Sequence, residues 1–84
     1  MEKKTLQTHL DFFTNNLSDY NRASDKEKKT IIDHVFSYSK YNLEKELYFE
    51  ISNNTPNGLF GPKHFTSDLS DAIRIIRRKI EDLQ

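Results

Sequence analysis

The chain has 84 residues, 13 basic and 13 acidic side chains, a mean hydropathy of −0.84 and no cysteine. That leaves room for one domain, residues 1–84, with one modest core, and it excludes disulfides and thiolate metal sites. A formal net charge of zero argues against a protein that lives on nucleic-acid backbone, because such proteins normally carry a basic excess.

In chain order, residues 5 to about 17 are predicted to form a helix. Leu6, Leu10, Phe13 and Leu17 share one stripe at helical spacing, and Phe12 lies off it. Residues 18–23 are rich in turn formers and are expected to be a loop. Ser24 and Glu27 have the spacing of a capping box, so a second helix is expected over roughly 25–40. Its apolar face would be Ile31, Ile32, Val35 and Phe36. Residues 37–42 are poor helix formers, where that helix should stop or bend.

Leu43, Leu47 and Ile51 are four apart with Glu44, Lys45 and Glu46 between them, which favours a third helix. Leu47, Phe49 and Ile51 also alternate, so a strand over 46–51 is the rival reading. Residues 52–66 hold both prolines and both glycines and are expected to form a long loop. Asn57-Gly58 is a tight-turn signal that would permit a short β-hairpin there. Thr66 or Ser67 should cap the last helix, which runs to about Leu83 with Leu69, Ile73, Ile76, Ile80 and Leu83 as a packing seam. The expected fold is therefore mainly α: a small bundle of three to four helices.

No catalytic constellation stands out. His9, His34 and His64 lie on three segments, and no two have the i,i+4 spacing of a helical metal site. There is no Gly-rich phosphate loop and no nucleophile elbow. We therefore expect no enzyme activity, no metal and no cofactor. No apolar run approaches the ~20 residues of a membrane span, and no apolar core follows Met1–Thr5. A cytoplasmic protein without a signal peptide or membrane segment is the expectation.

The candidate contacts are aromatic and cationic. Arg74, Arg77 and Arg78 sit on the last helix away from its seam, a face that could hold an acidic surface or a phosphate backbone. Asp71, Glu81 and Asp82 are spaced to neutralise them. Arg22, Lys26, Lys28 and Lys29 form a second basic cluster at a helix start, where positive charge is unfavourable. Tyr38, Tyr41 and Tyr48 are candidate interface residues, because tyrosine is enriched at protein interfaces. In the loop, Phe65 is expected inward. Phe60 is expected near the exposed tip as a partner anchor flanked by Lys63 and His64.

The expected function is a small protein-interaction module, an inhibitor or adaptor that binds a larger protein or ribonucleoprotein. Abundant Lys, Asn and Ile imply AT-rich codons and a bacterial or phage origin, so an anti-defence protein such as an anti-CRISPR-type inhibitor is its sharpest version. An antitoxin or immunity protein is the near alternative. A small nucleic-acid-binding regulator using the arginine face is another. Against that, the link before the last helix is too long for a helix-turn-helix, and free nucleic acid should bind weakly or not at all. The chain would act as a monomer, or as a homodimer through the last-helix seam.

Overall fold

The structure is a computed structural model that describes residues 1–55 and 60–84. Four helices follow one another: α1 (Lys3–Arg22), α2 (Asp25–Asn42), α3 (Lys45–Asn53) and α4 (Phe65–Asp82). The helical bundle is as expected, and 46–51 is helix, not strand. The hairpin alternative fails, since the described residues contain no strand. The 52–66 loop is trimmed from both ends, because α3 runs through Asn53 and α4 begins at Phe65. The tight turn expected at Asn57-Gly58 lies outside the described residues, as do Pro56 and Leu59.

Each helix boundary has a local cause. Both bonds of the capping box at Ser24 and Glu27 are made, which starts α2 where the sequence signals it. They also hold the Glu27 carboxyl below its usual range, through the Ser24 backbone and side-chain donors. α1 continues five residues past its expected end. Tyr20 packs its ring 4.6 Å from that of Phe65, and Arg22 pairs with Asp19, so the turn formers at 18–22 are held helical by packing. α2 likewise runs through 37–42. The Ser39 hydroxyl donates to the Val35 carbonyl at 2.8 Å, which satisfies a buried polar group inside the helix. At the end of α3, Asn54 and Thr55 side chains donate to the Glu50 and Ser52 carbonyls.

α4 starts with His64 as its N-cap residue, without a side-chain cap bond, so neither Thr66 nor Ser67 has the capping role. Asp68, buried in its first turn, accepts from the Phe60 backbone N–H at 3.2 Å. Phe60 has φ 57°, the left-handed region that side chains rarely adopt. The Asp68 bond and the burial of the ring hold it there. The ring is 1% exposed and lies 5.8 Å from Phe13 and 6.4 Å from Phe65. The expected exposure of Phe60 is therefore reversed: the loop folds its aromatic under the bundle, because a thin core gains more from a buried ring than the backbone strain costs.

α1 and α4 make the most extensive contact. They run antiparallel, with Tyr20 against Phe65 at one end and Leu6 near Leu83 at the other. Leu69, Ile73, Ile76 and Ile80 are buried as expected, whereas Leu83 follows the helix end and is 52% exposed. α2 lies antiparallel to α1, with Lys28 over Tyr20, His34 by Phe12 and Tyr38 by His9. α3 flanks α4, fastened by Lys79 to Glu50 at 2.7 Å. Ile75, off the seam, is partly buried on that side and packs against the core.

Two predictions follow from the loop. Phe60→Ala should cost roughly 3–5 kcal/mol, a large share of the stability of a small domain. A urea midpoint within error of wild type would show that the ring does not belong to the core. The second concerns Asp68. Burial pushes its carboxyl above the usual aspartate range, as does nearby Asp71; the Phe60 N–H and the charge of His64 pull the other way without cancelling this. A raised folded pKa means the protonated acid is favoured in the folded state. Its stabilisation is complete below the unfolded value and lost as pH rises through the folded one. Asp68→Asn keeps an acceptor for Phe60 and removes the titration. The variant should melt at or above wild type at pH 7, with the difference shrinking toward pH 3. A variant that melts lower at pH 7 and recovers relative to wild type in acid would contradict this.

Candidate functional site

The helix wheel decides what each flank of α1 and α4 can do. At roughly 100° per residue, His9, Phe12 and Asn16 of α1 face α2, while Leu10, Thr14, Leu17 and Asn21 fall on the opposite flank. On α4, Ile75 and Lys79 face α3, while Ser70, Arg74, Arg77 and Glu81 fall on the other side. The second flank of α1 meets the second flank of α4 in a shallow surface groove of about 670 Å³, lined by Thr14, Leu17, Ser70, Ile73, Arg77 and Arg78, with Arg74 and Glu81 beside them. Ile73 is buried and Leu17 half-buried, so the floor is apolar; the arginines form the rim.

The pairing that would neutralise this rim is incomplete. Arg74 donates to Asp71 at 2.9 Å. Neither Glu81 nor Asp82 lies within 4.0 Å of Arg77 or Arg78, and among the described residues those two arginines form no ion pair. Lys79, next to Arg78 in sequence, turns away from the groove to Glu50 on α3. The three predicted arginines thus gather at one groove, two of them unpaired.

The other candidates are placed apart from it. Lys63 and His64 are exposed in the turn before α4. Phe60, expected between them as an anchor, is in the core and presents nothing to a partner. Tyr38 is half-buried and committed: its ring stacks on Phe12 at 3.6 Å, and its hydroxyl lies 2.7 Å from His9 Nδ1. Tyr48 is half-buried beside Phe49. Tyr41 is 76% exposed, with Lys40 near its ring face. Phe36 and Phe49 are exposed too. Sequence reasoning missed both, reading Phe36 into the α2 core face and Phe49 into an alternation. The spacing of Phe36 from Tyr41 puts them on different flanks of α2, so they do not make one patch. In the basic cluster at the α2 start, Arg22 pairs with Asp19 and Lys28 lies over Tyr20, while Lys26 and Lys29 are exposed.

One polar cluster was not anticipated. His9, buried on α1, places Nε2 2.9 Å from Glu44 Oε1 and Nδ1 2.7 Å from the Tyr38 hydroxyl. Burial and the Glu44 charge push the Tyr38 phenol up, so its hydroxyl keeps its proton. Burial alone would raise Glu44, but the His9 hydrogen bond, its own backbone N–H and the His9 charge outweigh that and hold its carboxyl down. With Nε2–H donating to Glu44, a neutral ring accepts from the Tyr38 hydroxyl at Nδ1 and a charged ring donates to it, so the three groups are satisfied in either state. No spacing rule could have found it, because its members are 29 and 35 residues apart in sequence. Phe12 and Phe13 crowd the Tyr38 ring, and the cluster reads as a tie between α1, α2 and the start of α3.

Among the described residues, no three His, Asp or Glu side chains converge so as to hold a metal ion. No described helix is long and apolar enough to cross a membrane. No protein-family model, curated protein or solved structure matches the chain.

Proposed function

We propose that this chain is a small, non-enzymatic protein-interaction module, an inhibitor or adaptor that seats on a larger protein or ribonucleoprotein through the α1–α4 groove. The observation that carries this reading is the combination at one place of an apolar floor, Leu17 and Ile73, with the unpaired guanidinium groups of Arg77 and Arg78. Protein interfaces pair desolvated apolar contacts with a polar rim, and arginine is among the residues most enriched in them. The composition makes a phage or mobile-element inhibitor of a defence complex the sharpest version.

The same arginines favour a second reading, a nucleic-acid-binding regulator. Phosphate contacts use the rim but leave an apolar floor without a role, and three guanidiniums on a chain of zero net charge release few counterions. The protein reading uses both parts of the groove.

A photo-cross-linking amino acid at Ser70, which is exposed and lines the groove, tests this in the native host. A control chain carries it at Lys26, exposed in the first turn of α2. The expected outcome is a protein adduct of defined mass at Ser70, unchanged by nuclease and absent from the control. An adduct that nuclease destroys, or equal labelling from both positions, would refute the reading.

A further inference from the structure

We infer that the occupant of the α1–α4 groove is an acidic amphipathic α-helix presented by a protein partner. This rests on the groove being a protein-binding site and adds the chemistry of what enters it.

The first argument is shape. From Ser70 to Glu81 the rim follows three turns of α4, about 16 Å at the rise of an α-helix. The seam between two antiparallel helices is where a third helix can set its ridge of side chains. Elsewhere in this fold such seams are occupied: α2 lies along one flank of α1 and α3 along one flank of α4. Among the described residues, nothing covers the remaining flanks.

The second argument is the pattern along the floor. Thr14 and Leu17 line the α1 wall, Leu10 and Asn21 fall on the same flank by helical spacing, and Ile73 carries the apolar floor of Leu17 across to α4. A helix bound in such a groove is read through apolar anchors at i, i+3, i+4 and i+7.

The third argument is charge. The α1 wall at 10, 14, 17 and 21 carries no acid. On α4, Glu81 stands at one end and Asp71 is occupied by Arg74, so Arg77 and Arg78 leave the rim with an excess of positive charge. Arg74 and Arg78 are one turn apart, the spacing of carboxylates at i and i+4 on a facing helix. Guanidinium groups match carboxylates in a two-pronged geometry; Arg78 is exposed and unpaired among the described residues and free to adopt it, whereas Arg74 would have to exchange Asp71 for a carboxylate of the bound helix. An acidic helix with one apolar stripe meets shape, floor and rim together.

The test is a titration of the isotope-labelled full chain, followed by amide NMR. The probes are three synthetic amphipathic peptides of about 16 residues with one leucine stripe: one flanked by Glu, one by Gln and one by Lys. A fourth probe is a single-stranded RNA of about 12 nucleotides, a length in the range that single-strand binding sites cover. The Glu peptide should shift the amides of Thr14, Leu17, Ser70, Ile73 and Arg77, and saturate. Arg77→Glu/Arg78→Glu should weaken it about tenfold, replacing two exposed attractive pairs by repulsive ones. The same variant should bind the Lys peptide better than wild type does. Its amide spectrum away from the groove should match wild type, because both side chains are exposed. Equal binding of the Gln and Glu peptides would overturn the acidic assignment and leave the protein-binding groove standing. RNA shifting these amides while no peptide does would overturn both. The same shifts appearing with protein concentration alone would replace the acidic helix by a second copy of the chain. No groove response at millimolar peptide would also overturn the inference.

Discussion

Burial of the α4 seam against α1 is the contact from which the rest of the fold follows. Leu69, Ile73, Ile76 and Ile80 present one narrow stripe, and Leu6 and Phe13 answer it from α1. A helix pair joined along one stripe is marginal in so short a chain, since its core is thin relative to its surface. The ends of the pair supply the extra apolar area. At one end Phe60, Phe65 and Tyr20 close over Phe13. On the flanks, α2 and α3 cover what the stripe leaves open. The left-handed backbone at Phe60 is intelligible only in this frame, as a local cost accepted so that one more ring enters the core.

The contact between α1 and α2 is of a different kind. α2 buries little of its own surface, with Val35 and Ser39 its buried residues. What fixes its position is the set of directional contacts around Tyr38: the stack on Phe12, the edge contact with Phe13, and the hydrogen bond to His9 that continues to Glu44. Hydrogen bonds specify geometry more than they add net stability, and a buried imidazole without both partners would carry the desolvation cost of each missing bond. The network therefore sets the register of α2 and the start of α3 on α1. No buried side-chain polar atom among the described residues lacks a partner, which is consistent with that economy.

Legibility from sequence tracked how local each cause is. The α2 start was readable because Ser24 and Glu27 are three residues apart and the bond between them is the cap itself. The seam of α4 was readable because its period is written in one segment. The end of α1, the fate of Phe60 and the role of His9 were not. Residues 18–22 have turn-forming side chains, and what keeps them helical is Phe65, forty-five positions beyond Tyr20. Phe60 beside a Gly-rich stretch has the composition of an exposed tip; its burial depends on Phe13 and Asp68. The arginine face was legible as a face, since three side chains on one helix share a flank by spacing alone. That it borders a groove was not, because the other wall belongs to α1.

The groove itself is a consequence of helix count. Around an antiparallel helix pair there are two seams. Here α2 and α3 both take positions away from the seam lined by Thr14 and Ser70. α2 is tied to the far flank of α1 through Tyr38, and α3 to the far flank of α4 through Lys79 and Glu50. A seam left open in a purely structural bundle would be expected to carry small or mutually paired polar residues, since exposed apolar floor has no compensating contact. This one keeps Leu17 beside Ile73 and sets unpaired arginines above them, while the carboxylate that could neutralise Arg77, Glu81 four residues on, stays beyond ion-pair distance. Arginine on such a rim keeps its long side chain solvated until an anionic partner arrives, and only then is its charge worth desolvating. The same four-helix economy that closes the core elsewhere thus leaves this seam open, with an apolar floor and an unpaired cationic rim.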